Sequence, residues 1–163
     1  MLANQCPNSI FRSLFPSNNK YSVKDYTIGT DDNINLKVFR VNLSEAAKSK
    51  LQDRKNIGTP ILLAHGLIDS SDEWFENGLK GSIGFYFADK GFDVWVMNTR
   101  GNKYSHSTPN IGFQGFAADS GVAAEKAAKA SDHKTYKEFF KFHVFEMAIY
   151  DMPAVYRLIL RER

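Results

Sequence analysis

The residues of this chain whose types and positions could do chemistry are His65, Gly66 and Leu67. They end a short apolar run at 61–64, which begins after Pro60 and is typical of a strand covered on both faces, as in a parallel sheet. In an open α/β sheet, ligands bind in the crevice beyond the carboxyl ends of the strands. The His-Gly-Leu turn is therefore the first candidate for a functional site.

The other reactive side chains are less well placed for catalysis. Ser82 and Ser105 lack the strained turn that a nucleophilic serine requires. Three histidines have no matching acidic partner in the sequence around them: His106, His133 and His143. Cys6 is the only cysteine, which excludes an intrachain disulfide and a structural zinc site made of thiolates. No cofactor or metal is predicted.

Four strand patterns and at least two helical patterns must position the turn. Residues 21–43 hold two apolar segments around an Asp-Asp-Asn cluster, which predicts an antiparallel hairpin at a sheet edge. Apolar segments at 60–65 and 92–97 flank a helix predicted at 83–90, and such a βαβ unit has a right-handed crossover. Toward the carboxyl end an apolar helical face predicts one or two helices, because Pro153 either starts the second or kinks a single one.

Composition and charge exclude several classes of function. The formal net charge is +3 and the basic residues are interleaved with acidic ones, so no nucleic-acid partner is predicted. No stretch approaches the roughly 18 consecutive apolar residues of a transmembrane helix, so no transmembrane segment is predicted. Residues 1–20 are polar, lack the apolar core of a secretory signal, and are predicted to form a loose N-terminal arm. The compartment is left open by these features.

Four short motifs occur in order along the sequence: His65–Leu67, Gly91–Trp95, Asn98–Asn102 and Glu146–Ala154. Together they resemble the acid lipases of the α/β-hydrolase fold, of the gastric and lysosomal type. The resemblance implies an α/β fold class, namely the N-terminal portion of an α/β-hydrolase sheet made of the edge hairpin and the βαβ unit. It also implies a partial lipase domain at 21–163, with an insert at 110–137 that is longer than the usual connection in the family.

The resemblance gives the His-Gly-Leu turn a role. In that family the backbone N–H after the His-Gly pair is one donor of the oxyanion hole, and Leu67 occupies that position. A fixed donor stabilises the negative charge of a tetrahedral intermediate, while Gly66 and His65 support the turn that carries it. The alternative is that the His-Gly pair merely ends a strand. The polar residues of Asn98–Asn102 are expected to fix their loop rather than to take part in catalysis.

The nucleophile and the acid and base of the family are not assigned to any residue. The 163 residues contain no G-x-S-x-G pentapeptide, and in this fold the acid and the histidine follow the serine along the chain. The chain is therefore expected to be the N-terminal region of a serine lipase acting on neutral lipid esters, truncated before the nucleophile-elbow strand and inactive alone. The alternative is a non-catalytic interaction subunit, whose protein partner would cover the apolar strand edge exposed at 60–65.

Overall fold

The computed structural model describes residues 19–106 and 139–163, which form a four-stranded mixed sheet with helices on both faces. The strand order is β1-β2-β4-β3. The strands are β1 (Tyr21–Gly29), β2 (Asn35–Leu43), β3 (Pro60–Leu63) and β4 (Asp93–Met97). The helices are α1 (Glu45–Lys48), α2 (Gly78–Gly81), α3 (Ile83–Asp89), α4 (Val144–Glu146) and α5 (Met152–Arg161), with a 3-10 turn at Ser71–Trp74 and a π-helical turn at Met147–Asp151.

The β1–β2 hairpin follows from two alternating segments joined by a tight polar turn. The strands pair antiparallel over their whole length. Asn33 has a φ of 63°, a left-handed conformation that asparagine tolerates better than most residues. The Thr30 hydroxyl accepts a hydrogen bond from the Ile34 N–H at 2.9 Å, which closes the turn. The hairpin predicted at 21–43 is confirmed, and β1 is an edge of the sheet formed by the described strands.

The strands β3 and β4 are parallel neighbours, as the βαβ pattern predicts, and Leu63 lies opposite Val96. All five residues of β4 are buried, whereas β3 buries only Leu63. The difference arises because β4 lies between two strands, while no other described strand flanks the outer edge of β3. Gly91 ends the α3–β4 connection with a φ of 88°, where any residue with a side chain would be strained.

Two apolar clusters hold the sheet between its helices. On one face Phe75 and Phe85 pack edge to face, with ring centroids 5.0 Å apart, in a cluster that includes Val94 of β4. On the other face Leu158 of α5 packs in the cluster that contains Trp95. Burying one large apolar side chain contributes about 1.5–3 kcal/mol. Both helical layers therefore stabilise the sheet, because each buries several such side chains against it.

The carboxyl end forms one helical segment, 144–161, with a π-helical turn inside it. Pro153 has no N–H to donate to the carbonyl of Ile149, four residues earlier, and its ring crowds that carbonyl. The π-helical turn ends at Asp151, two residues before Pro153, and its wider winding accommodates the missing bond. Pro153 therefore both interrupts a single segment and lies in the first turn of its second α-helical part.

Two of the predicted regions lie wholly or largely outside the described residues. They are the N-terminal arm at 1–20 and the insert at 110–137, and both stay predictions. Across 19–106 and 139–163, none of the helices combines the length and the apolar character needed to cross a membrane.

Replacing Gly84 with alanine should lower the free energy of unfolding by about 1–3 kcal/mol. A Cβ at this position would overlap the ring of Phe75, which is fully buried and cannot move aside freely. Urea denaturation followed by circular dichroism measures the loss. Gly29→Ala is the matched control, because no atom lies within 4 Å of its added Cβ. An equal free energy of unfolding in the two variants would show that α3 does not pack closely on Phe75.

Candidate functional site

The chain turns sharply directly after β3. The Asp69 N–H donates to the Gly66 carbonyl at 3.1 Å, which closes a four-residue turn with Leu67 and Ile68 at its centre. The two central side chains face solvent, since Leu67 is 70% exposed and Ile68 is fully exposed. Within residues 19–106 and 139–163, no group accepts a hydrogen bond from the Leu67 N–H. This amide is therefore open to an acceptor from outside those residues.

His65 connects this turn to the loop that follows β4. Its Nε2 accepts a hydrogen bond from the Thr99 N–H at 3.0 Å, and the side-chain amide nitrogen of Asn102 lies 3.1 Å from the same ring nitrogen. Its Nδ1 lies 2.6 Å from the Gly66 carbonyl oxygen. Residues distant in sequence meet here because the carboxyl ends of two parallel strands lie side by side.

Asn98 is fully buried and ties together three segments of the chain. Its Oδ1 accepts hydrogen bonds from the Ser71 N–H at 3.0 Å and from the Asn102 side chain at 2.8 Å. Its Nδ2 donates to the Lys37 carbonyl at 3.2 Å. A buried amide costs free energy unless both of its ends are paired, and here both are. Asn98 and Asn102 therefore fix the loop, as expected from the sequence.

Arg100 lies at the centre of a buried ion cluster. Its backbone N–H and guanidinium donate to Asp151 in the π-helical turn, at distances down to 2.7 Å. The guanidinium also donates to Asp32 in the β1–β2 turn, at 2.5 and 2.9 Å. The rigid fork of donors on a guanidinium can serve two carboxylates at once, which the single ammonium of lysine does less well. The cluster thus joins the hairpin, the loop after β4 and the last helical segment.

The charges of this cluster shift one another's pKa. Burial disfavours the charged guanidinium, but hydrogen bonds to Asp32 and Asp151 more than offset this and raise the pKa of Arg100 above its ordinary value. Burial also raises the pKa of Asp151, despite its bonds from Arg100. For Asp32 the balance is reversed, because the bonds and charge of Arg100 outweigh burial and lower its pKa. Folding therefore favours the ionised form of Asp32.

Glu73 places a carboxyl group beside the turn. Burial raises the pKa of Glu73, and the neighbouring Asp69 raises it further, while a hydrogen bond from the Gly66 N–H opposes the change. Glu73 thus adds a carboxyl group beside the turn that carries Gly66 and Leu67. Glu73 lies in the 3-10 turn at Ser71–Trp74 and belongs to none of the sequence motifs.

The other candidate side chains have structural partners. The Ser82 hydroxyl donates to the Gly78 carbonyl at 2.7 Å instead of capping α3. The Ser105 hydroxyl donates to the Asn98 carbonyl at 2.8 Å and accepts from the Lys37 N–H at 2.9 Å. Neither hydroxyl is presented as a nucleophile. Of the remaining histidines, His106 lies beside the Asn102 carbonyl, His143 precedes α4, and His133 lies outside the described residues.

A metal site does not appear in the part of the chain that the structure describes. No group of three or more His, Cys, Asp and Glu side chains there could hold an ion. The groups that the turn itself presents are the backbone N–H of Leu67 and the carboxyl groups of Asp69 and Glu73.

Comparison with models of known protein families identifies the fold family of this chain. The family model described as "alpha/beta hydrolase fold" matches residues 59–157, more than half of the chain. The chain belongs to this family. A second model, described as "Partial alpha/beta-hydrolase lipase region", matches residues 15–78.

Several proteins that are similar to this chain are lipases by name. Triacylglycerol lipase 1 of Arabidopsis thaliana is 35% identical over 91% of this chain, and lipase member M of Homo sapiens is 32% identical over 87%. Gastric triacylglycerol lipase of Rattus norvegicus is 31% identical over 87%. The matches cover only 30%, 28% and 30% of those three proteins, so the chain spans less than a third of the length of these relatives.

Replacing Asp32 with asparagine should lower the free energy of unfolding by about 1–2 kcal/mol at pH 7, because a charge-assisted hydrogen bond to Arg100 is weakened. The pKa of Asp32 is lowered by folding, so its contribution is present above the ordinary carboxyl pKa of 3.8 and is lost as the pH falls. The difference between variant and wild type should therefore shrink as the pH falls below about 4. Denaturant titrations at several pH values measure it.

Asp31→Asn is the matched control for this prediction. It removes a neighbouring pair with Arg157, in which both side chains are more than half exposed, and should change stability by no more than about 0.5 kcal/mol. A constant difference for Asp32→Asn at every pH would contradict the assigned role of its charge.

Proposed function

We propose that this chain is the N-terminal region of a serine lipase that hydrolyses neutral lipid esters, and that the Leu67 N–H is one donor of its oxyanion hole. The lipase lineage of the chain supports the reaction class. The observation that carries the assignment of the donor is the open Leu67 amide, which lies at the carboxyl end of a parallel strand in a turn held by hydrogen bonds.

The Leu67 amide would have to stabilise the negative charge that forms on the ester carbonyl oxygen. Attack of a serine hydroxyl on the ester carbonyl moves an electron pair onto the carbonyl oxygen, and a preorganised N–H stabilises that charge. The donor needs no cofactor. It must point at the oxygen before the reaction starts, because reorientation during the reaction would cost the advantage. The nucleophile and its acid and base would come from sequence beyond these 163 residues, which contain no G-x-S-x-G pentapeptide.

A second function is favoured by the exposed apolar surface. Along the last helical segment, large apolar side chains recur at helical spacing on a solvent-exposed face: Phe145, Ile149, Met152, Tyr156 and Leu160. The outer edge of β3 is also unpaired by any described strand. Surfaces of this kind suit a non-catalytic, hydrolase-like subunit whose protein partner covers them.

The isolated 163-residue chain should show no serine-dependent ester turnover, because no strained nucleophile turn is present in its sequence. Hydrolysis of p-nitrophenyl esters is measured with and without a serine-reactive phosphonate. A rate equal to that of buffer, unchanged by the phosphonate, is expected. Turnover that the phosphonate abolishes would show that a serine of this chain is a nucleophile and would overturn the proposal.

The role of Leu67 can be tested in a chimera in which this chain replaces the matching segment of Arabidopsis triacylglycerol lipase 1. Leu67→Pro removes the N–H, and proline is well accommodated at the second position of common turns. We expect kcat to fall roughly 100- to 1000-fold with little change in KM. Leu67→Ala keeps the N–H and should retain kcat. An active chimera that loses nothing in Leu67→Pro would exclude Leu67 as the donor.

If the chimera is inactive, the size of the isolated chain in solution and its binding to other proteins decide between the two proposed functions. A stable complex, lost when Phe145 and Tyr156 are changed to serine, would favour the interaction subunit over the lipase. A monomer that binds nothing would count against that alternative.

A further inference from the structure

The Gly66 carbonyl and the Leu67 N–H are the two ends of one peptide group. A trans peptide is planar, and its C=O and N–H point in opposite directions. No cis peptide bond occurs among the described residues. Whatever fixes the direction of the Gly66 carbonyl therefore also fixes the direction in which the Leu67 N–H points.

Two donors lie against this carbonyl. One is the Asp69 N–H, at 3.1 Å, and the other is Nδ1 of His65, at 2.6 Å. The turn itself supplies the first bond. The second depends on the histidine, because Nδ1 can donate only when it carries the ring proton.

The loop after β4 selects the ring form that makes this bond. The Thr99 N–H has only a hydrogen to offer, so the Nε2 that faces it at 3.0 Å must be the unprotonated nitrogen. The amide nitrogen of Asn102, 3.1 Å from the same atom, favours the same assignment. A neutral histidine with an acceptor at Nε2 carries its proton on Nδ1, where it faces the Gly66 carbonyl.

We propose that His65 is a positioning residue for the oxyanion donor. Held as the Nδ1–H tautomer by Thr99, it clamps the Gly66–Leu67 peptide so that the Leu67 N–H points outward from the turn. The bond also polarises the peptide, because accepting hydrogen bonds at a carbonyl strengthens the N–H of the same group as a donor. The catalytic meaning of this clamp rests on the proposed function of Leu67, whereas the clamp itself is a property of the folded chain.

Two substitutions separate the two ends of the imidazole. His65→Asn places an amide nitrogen near the position of Nδ1 and keeps a donor for the Gly66 carbonyl. His65→Gln places its longer amide near the position of Nε2 and keeps an acceptor for Thr99, but offers nothing to Gly66. The clamp requires the donor at Nδ1, so asparagine should preserve the direction of the Leu67 N–H and glutamine should not.

The experiment is NMR spectroscopy of the full 163-residue chain with nitrogen-15 labelling. In the wild type, ring correlation spectra at neutral pH should show His65 as the neutral Nδ1–H tautomer. The residual dipolar coupling of the Leu67 N–H should agree with the structure in the wild type and in His65→Asn. In His65→Gln we expect that coupling to be reduced or lost through averaging, while the couplings of β4 amides stay unchanged.

Either of two results would overturn the proposal. One is a wild-type ring protonated on Nε2 at neutral pH, a result that needs no variant and holds even if His65→Gln fails to fold. The other is a Leu67 coupling in His65→Gln equal to that of the wild type. Neither readout depends on catalysis, so a chimera in which Leu67→Pro leaves kcat unchanged would remove the proposed function and leave the clamp standing.

Discussion

Arg100 binds Asp32 and Asp151 in a buried ion cluster that connects three parts of the fold. It joins the tip of the hairpin, the loop after β4 and the last helical segment, which no covalent connection brings together. Breaking a buried ion pair by removing one partner typically costs about 3–5 kcal/mol, because a charge is left buried without its counterion. Arg100 and Asp151 are almost completely buried, so that cost applies to them, whereas Asp32 is partly solvated.

This cluster is connected to the candidate site through Thr99, the residue before Arg100. Arg100 directly follows Thr99, whose N–H binds the imidazole of His65. Fixing Arg100 therefore fixes the position of the donor that orients the histidine, and the histidine lies against the peptide of the oxyanion turn. Buried Asn98 holds the other side of the same loop. Stability and function thus use the same short loop, which explains why so many of its groups are polar and paired.

Most of the fold could be predicted from the sequence because its signals are local. The alternation at 21–43 and the apolar segments of β3 and β4 each depend on neighbouring residues, and each prediction is confirmed. The last helical segment was predicted only in outline, since the effect of Pro153 depends on how the preceding turn winds.

The polar network could not be predicted, because its members are distant in sequence. Nothing near Asp32 or Asp151 marks either as the partner of Arg100, and nothing in the loop near Glu73 points to the Gly66 amide. The motifs did single out His65, Gly66 and Leu67, and the structure places them in one turn beside the Asn98–Asn102 loop. The role of Leu67 as an oxyanion donor is implied by the resemblance alone and stays a proposal.

Binding of the oxyanion by the Leu67 N–H can be tested by measuring one distance. A crystal structure of the completed hydrolase, inhibited with a phosphonate ester, would contain a tetrahedral phosphorus whose oxygen occupies the position of the oxyanion. We expect this oxygen to lie about 2.7–3.1 Å from the Leu67 nitrogen. An oxygen held only by other groups, with the Leu67 N–H turned away from it, would exclude Leu67 as an oxyanion donor.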